Sequence, residues 1–359
     1  MSKNLKEFIQ RVTITQALLS ACGIVLLFGI CRLFFSLGYS FAVCLPAVLA
    51  PHLIAMDYYL LTESLFTFNS LLGIFFFLLA AKLQKNWLYL IAGFFFGYLV
   101  LIKPAAILFG PFLAVTSALF FLRVKTPREL IVMVILVIAG YTAVYSPYLV
   151  IRNNGTEKFA VSGQTIRDKI IMGADINLQH FMTSKRTPEF KSKMAKVNSD
   201  FVYAIQVLKE KVSSDLAGHL KWYLGGKIIY YWRWDNFYNG DVYQYPMQRK
   251  GFDENVLLKG IHKVMKVLHW PIFVLTLMGI VAVFIRPFVL KKNLDEDYLV
   301  VVPALVFLYF AVLFTILIPL PRYSIPVRPF SYILAVYAIK VLIETSLSFK
   351  KTPHPTLQA

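Results

Sequence analysis

The chain has 359 residues, of which 58% are hydrophobic and only 16% are charged, with a formal net charge of +18 at pH 7. Soluble proteins carry about 25% charged residues, so this composition excludes a soluble globular protein and predicts an integral membrane protein. The basic excess fits cytoplasmic loops and anionic lipid headgroups. We expect membrane lipids as partners and no nucleic acid, because no basic soluble domain stands apart from the apolar segments.

The chain starts with the polar stretch "MSKNLKEFIQRVTITQ", and its first apolar run extends from Ala17 to Phe35. This run lacks a small-residue cleavage pattern and is long enough to span a bilayer, so the sequence predicts no conventional signal peptide.

Nine apolar runs approach the roughly 20 residues that a membrane-spanning helix needs. The predicted fold class is therefore an all-α polytopic membrane protein with about nine transmembrane helices. The fourth and fifth runs touch at Lys103 and Pro104, where the proline provides the break. The runs cover residues 15–37, 39–56, 63–81, 87–102, 104–122, 129–151, 268–285, 298–320 and 329–347.

Short basic loops indicate which ends of these helices face the cytoplasm. "KLQKN" at 82–86 and "RVKTPR" at 123–128 are rich in lysine and arginine, which the positive-inside rule places in the cytoplasm. "MDYYLLTES" at 56–64 and "PRYSIPVRPF" at 321–330 then fall on the outer side. This count leaves Lys3, Lys6 and Arg11 outside, which the rule disfavours, so we expect either a further span ahead of Met1 or a count that is wrong by one.

The long polar segment divides the chain into three parts. Residues 1–151 form an N-terminal bundle of about six spans, 152–267 an external subdomain, and 268–359 a C-terminal bundle of about three spans with a cytoplasmic tail. Apolar spacing predicts a helix over 199–224, and dense tryptophan and tyrosine predict an interfacial helix near 219–232. These aromatic residues fit an interfacial belt better than a stacking platform for sugars.

Two carboxylates stand beside apolar runs on the outer side: Asp57 ends one span and Glu63 starts the next. Charged groups at membrane depth are costly and usually face a cavity or a partner, which makes both residues candidate catalytic groups. The alternative is that they only stabilise helix ends, with Thr62 as the N-cap and Glu63 in the first turn.

Four cations are predicted on the same outer face, where the charge rule disfavours them. Lys103 occupies a short turn, and Arg152 ends a span. Arg322 and Arg328 bracket the "PRYSIPVRPF" turn together with Tyr323. Basic groups at headgroup level suit a phosphate-bearing lipid, with arginine giving bidentate contacts, while ordinary headgroup contact is the alternative.

Neither the histidines nor the cysteines have metal-ligand spacing, and no glycine-rich nucleotide loop is present. We therefore expect no metal and no cofactor, and we disfavour a nucleotide-sugar or ATP substrate.

An ordered set of motifs resembles the GT-C membrane glycosyltransferases, in particular the bacterial branch near protein O-mannosyltransferases and the lipid A aminoarabinose transferase. The motifs are "LLTESLFTF" at 60–68, "LIAGFFFGYLVLIKPAAILFGP" at 90–111, "YSPYLVIRN" at 145–153 and "PRYSIPVRPF" at 321–330. The resemblance implies a bacterial inner-membrane protein with an external loop domain. It also implies transfer of a sugar from a polyprenyl-phosphate donor to a lipid, glycan or protein acceptor.

Carried over residue by residue, Glu63 matches the family's second acidic position, and Lys103 matches the basic residue of the hairpin. Arg152 matches the arginine before the external domain, and Arg322 with Tyr323 matches the late "RY" turn. The family's principal catalytic aspartate lies in a first external loop, between the first two spans, and we expect this loop to be absent here. The alternative function is thus a catalytically incomplete homologue that acts as a lipid-phosphate-binding scaffold or a transporter-like protein. The sequence shows no convincing internal repeat, which counts mildly against transport.

Overall fold

The computed structural model describes residues 3–59, 61–154, 163–176, 178, 187–235, 241–242, 254–289 and 297–351. Within these ranges every regular element is helical and no strand occurs. Together with the apolar composition of the long helices, this establishes a polytopic helical protein of the membrane type.

The α-helices are numbered here in chain order. They are α1 (Lys3–Arg32), α2 (Leu37–Leu49), α3 (Pro51–Met56), α4 (Glu63–Leu83), α5 (Trp87–Ile102), α6 (Phe109–Phe121), α7 (Pro127–Asn154), α8 (Gly163–Gly173), α9 (Pro188–Ser199), α10 (Phe201–Ser214), α11 (Leu216–Lys221), α12 (Lys227–Trp232), α13 (Val256–Val289), α14 (Val301–Ile316) and α15 (Arg328–Lys351).

Seven helical segments in the described part of the chain are long and apolar enough to cross a membrane. The other two predicted spans fall on α2 and α5, which have 13 and 16 residues. At about 1.5 Å per residue these helices measure roughly 20 and 24 Å, less than the roughly 30 Å hydrocarbon core. The seven segments are Asn4–Arg32, Glu63–Leu83, Pro104–Phe121, Pro127–Ile151, Val256–Arg286, Tyr298–Ile316 and Pro321–Leu347.

The run predicted as one span over 39–56 is two helices that meet at Ala50. Ala50 has an extended backbone (φ −68°, ψ 108°) because the following Pro51 disfavours a helical conformation at the residue before it. The short helix α3 then ends at Asp57.

Helices α5 and α7 are in backbone contact because glycines face each other. A Cβ atom at Gly93 would lie 2.2 Å from the carbonyl oxygen of Val137, and one at Gly140 would lie 2.1 Å from that of Leu90. Only glycine allows such an approach, as in other small-residue helix interfaces in membranes. This contact fixes α5 and therefore the position of Lys103 at its end.

An aromatic core joins α4, α6 and α14. Phe66 packs edge-on against Phe310 with ring centroids 5.9 Å apart, and Phe109 lies 5.3 Å from Phe310. All three side chains are buried. Such ring pairs add to the burial of apolar surface and hold the start of α4 against α14.

The segment predicted to be external contains helices α8–α12. The helix predicted over 199–224 is present as α10 and α11, with a break at Asp215, whose side chain caps α11 by accepting a hydrogen bond from the Gly218 amide at 2.9 Å. A π-helical turn, Trp222–Gly226, continues into α12. The region near 219–232 is therefore helical, and its interfacial location remains a prediction.

Candidate functional site

Glu63 and Lys103 form an ion pair between the start of α4 and the end of α5. The Lys103 Nζ atom lies 2.9 Å from Glu63 Oε1, and the two side chains are 19% and 4% exposed. The second carboxylate oxygen of Glu63, Oε2, is buried and receives no hydrogen bond from any described residue. The buried Glu63 carboxylate thus has one oxygen paired with Lys103 and one oxygen without a hydrogen-bond partner among the described residues.

The local sequence determines where Glu63 and Lys103 lie relative to their helices. Glu63 is the first residue of α4, where the helix dipole favours a negative charge, and Thr62 occupies the N-cap position but makes no side-chain capping bond. Lys103 follows α5 in an extended conformation (φ −142°, ψ 118°) because the next residue is Pro104. The helix therefore stops where the lysine side chain meets the start of α4.

Arg322 and Tyr323 lie beside this pair in a 3₁₀ turn, Pro321–Val327, that precedes α15. The Arg322 guanidinium is 5.2 Å from the centre of the Tyr323 ring, and Lys103 Nζ is 5.7 Å from the same centre. Arg322 is exposed and interacts electrostatically with Glu63. The tyrosine ring is therefore flanked by two cations.

The position of this turn depends on the segment that contains α12. The Tyr231 hydroxyl donates a hydrogen bond to the Tyr323 carbonyl oxygen at 3.0 Å. The Tyr323 ring stacks on Phe314 with centroids 4.9 Å apart. Residues far apart in the sequence thus hold Arg322 and Tyr323 next to Lys103.

Asp57 lines a cavity of 410 Å³ together with Glu63. Its Oδ1 atom accepts hydrogen bonds from the Ser20 and Ser64 hydroxyls, both at 2.7 Å. Burial raises the pKa of the Asp57 carboxyl, and these two hydrogen bonds oppose the increase. The two predicted carboxylates therefore share one cavity, and Lys103 and Arg322 are not among its described lining residues.

One predicted cation, Arg328, is not brought to this group, and for another, Arg152, the structure gives no side-chain position. Arg152 lies in α7, but its side chain is outside the described residues. Arg328 is 3% exposed and makes no salt bridge with a described carboxylate. Its guanidinium donates to His52 Nδ1 at 3.0 Å and lies 5.3 Å from the Trp232 ring. The structure thus places Arg328 in a separate aromatic cluster, and a role for it in substrate binding remains a prediction.

A scan against protein-family models finds no match for this chain, and a search of curated proteins finds none either. The resemblance to the GT-C glycosyltransferases remains an expectation. Within the described ranges, no three histidine, cysteine, aspartate or glutamate side chains form a group that could hold a metal ion.

His52 has a structural role that its sequence spacing does not reveal. Because Arg328 is a donor, His52 Nδ1 accepts, and the proton is on Nε2, which donates to the Trp234 carbonyl oxygen at 2.9 Å. Burial lowers the pKa of His52, and the nearby Arg328 charge lowers it further. The partners are 276 residues apart in sequence, so no local pattern could have predicted the pair.

Lys227 was also missed, because a lysine in an aromatic helix suggests a surface residue. It is 0% exposed, and its Nζ donates to the carbonyl oxygens of Thr315 at 2.7 Å and Leu317 at 3.1 Å. Tyr223 covers it, with the ring centre 3.9 Å from Nζ. Burial lowers the pKa of Lys227 to about 7. This lysine ties α12 to the end of α14, just ahead of the Arg322 turn.

The chemistry available at the site follows from its charges. Lys103 and Arg322 exceed the charge of Glu63 by one positive unit, and Arg322 has no salt bridge with a described carboxylate. Two cations beside an aromatic ring suit a phosphate group. A buried carboxylate with an open oxygen suits proton transfer.

Proposed function

We propose that this protein transfers a sugar from a polyprenyl-phosphate-linked donor to a lipid, glycan or protein acceptor on the outer face of a bacterial inner membrane. The observation that supports the proposal is the Glu63–Lys103 ion pair beside Arg322, at the ends of helices of the membrane type. A lipid-linked phosphate that enters from the membrane would meet two cations and one carboxylate at this place.

The first step is binding of the phosphate by Arg322 and Lys103. Arg322 is exposed and can engage two phosphate oxygens, whereas Lys103 acts as a point charge. When the sugar leaves, the phosphate gains negative charge, and these cations stabilise that charge more than the charge of the bound donor.

The second step is activation of the acceptor by Glu63. In the resting state Lys103 neutralises one oxygen of this carboxylate at 2.9 Å. Once the phosphate draws Lys103 away, the buried carboxylate loses its cationic partner and can accept a proton. Donor binding would thereby prepare Glu63 to take the proton from the attacking hydroxyl.

The test is transfer by the purified full chain with a polyprenyl-phosphate sugar. We expect Glu63→Gln and Lys103→Ala each to abolish transfer while insertion into the membrane remains intact. Glu129→Gln is the matched control, because Glu129 caps the start of α7 by accepting from Thr126 at 2.8 Å and glutamine can keep that contact. Full activity in both site variants would remove these residues from the site.

The second candidate function is binding of a lipid phosphate without transfer. The observation that favours it is the resting ion pair itself, since Glu63 is already neutralised and the other predicted acid, Asp57, is bonded to two serines. Donor binding that depends on Lys103 but gives no product with any acceptor would support this function.

A further inference from the structure

The 410 Å³ cavity beside Glu63 has walls built mainly from α1, α2, α3 and α4, and Ile325 of the 3₁₀ turn and Pro329 of α15 complete its lining. Most of its lining is apolar, including Ile24 and Leu27 of α1, Leu53 of α3 and Leu71 of α4. Its volume falls in the range of about 300–1,000 Å³ typical of small-molecule sites. A medium-length alkyl chain fits such a space.

The rim of the cavity is apolar and exposed. Val48 and Ile54 on the rim are 51% and 36% exposed, and Ala17 and Ala21 of α1 are exposed as well. In a helix bundle of the membrane type, an apolar rim opens toward hydrocarbon rather than water. The occupant would therefore enter from the lipid phase.

The polar end of the cavity is acidic, and the Ser20 and Ser64 hydroxyls in its lining already donate to Asp57. Both hydrogen bonds to Asp57 end on Oδ1, so its Oδ2 receives none from a described residue. Glu63 Oε2 is buried and has no such partner either. Glu63 is only 3% exposed, so its buried oxygen without a partner is costly unless a ligand binds it.

The charge of the lining selects the ligand. Among its described lining residues, Asp57 and Glu63 are the charged ones, and none is lysine, arginine or histidine. An anion is repelled there. An alcohol offers one donor, whereas a primary ammonium offers three donors and a compensating charge.

We propose that this cavity binds a primary alkylammonium amphiphile, with the ammonium head at Asp57 and Glu63 and the chain along the apolar walls. This binding does not depend on sugar transfer. Glu63 would then have two ligands as neighbours: an ammonium group in the cavity and a phosphate at Lys103.

The test compares three amphiphiles of equal chain length, decylammonium, decanol and decyl sulfate, on the full chain in maltoside micelles. Unfolding is followed by tryptophan fluorescence. A ligand that binds the native state raises Tm in a saturable way, and we expect decylammonium to raise it by about 3 °C or more. Decanol should have a smaller effect, and decyl sulfate none. Equal shifts with all three amphiphiles, or a larger shift with decyl sulfate, would overturn the proposal.

Variants locate the effect. Asp57→Asn should lose most of the decylammonium shift, and Asp175→Asn, in the segment that contains α8, is the matched control that should keep it. Ala17→Phe at the exposed rim leaves both carboxylates intact and should also lose the shift by blocking the entrance. If Asp57→Asn does not fold, Ala17→Phe decides the question. A shift that persists with the rim blocked would place the ligand elsewhere.

Discussion

Replacing either member of the Glu63–Lys103 pair should destabilise the protein by unequal amounts. Lys103→Met leaves a carboxylate that is only 4% exposed, whereas Glu63→Gln leaves an ammonium group that is 19% exposed and on a flexible stem. The carboxylate therefore cannot regain water, but the lysine can. We expect Lys103→Met to be the more damaging change.

The magnitudes follow from distance and burial. At 2.9 Å and an effective dielectric constant of about 20, the Coulomb attraction is about 6 kcal/mol, most of which offsets desolvation. An unpaired buried charge costs about 3–5 kcal/mol, which we assign to Lys103→Met. Glu63→Gln should cost about 1–2 kcal/mol, the range for a lost hydrogen bond. The double variant should be more stable than Lys103→Met alone, because it removes the orphaned charge.

The assay is unfolding of the four proteins in mixed micelles, with the free energy of unfolding taken from each transition. A double-mutant cycle then gives the coupling energy, which we expect to be about 2 kcal/mol. If the two single losses add in the double variant, the ion pair contributes nothing, and the site geometry argued from it is wrong.

Three further predictions concern the segments that hold the site. The pKa of Lys227 is about 7 in the native state and near its ordinary 10.5 in the unfolded state, so the unfolded state binds more protons between these values. Stability should rise from pH 7 to pH 9, and a Lys227→Met variant with the same slope would contradict this. Gly140→Ala places a Cβ atom 2.1 Å from a carbonyl oxygen of α5 and should cost about 3 kcal/mol in unfolding free energy, whereas Gly23→Ala, whose nearest neighbour is 3.6 Å away, should cost far less. In a chain without native cysteines, Lys85→Cys should react with an impermeant maleimide only from the cytoplasm and Arg322→Cys only from outside; the reverse pattern would invert the topology.

The sequence predicted the helical class and the elements that carry the site, because apolar runs and prolines act locally. The break at Lys103 and Pro104 and the turn at Arg322 are both present. The break at Ala50 was missed, although Pro51 signalled it. Helix α13 starts at Val256, inside the segment predicted to be external. This early start was not predicted, because the first turns of the helix mix polar and apolar residues and do not form an apolar run.

The partners of the charged groups could not be predicted from the sequence. The predicted membrane topology placed Arg328 with the other outer cations. No sequence pattern around Arg328 indicates its contact with His52, which is 276 residues away. Lys227 likewise belongs to an aromatic helix, and only the fold shows that it binds the carbonyl oxygens at the end of α14. Local patterns indicate where charged groups lie along the chain, and long-range packing decides what they contact.

The most direct measurement is the affinity of the full chain in nanodiscs for a polyprenyl phosphate without its sugar. If Glu63 and the lipid phosphate compete for Lys103, Glu63→Gln should tighten binding about tenfold, equal to about 1.4 kcal/mol, and Lys103→Met should weaken it by at least as much. Unchanged affinity in both variants would contradict the proposal that this ion pair opens to receive a lipid-linked phosphate.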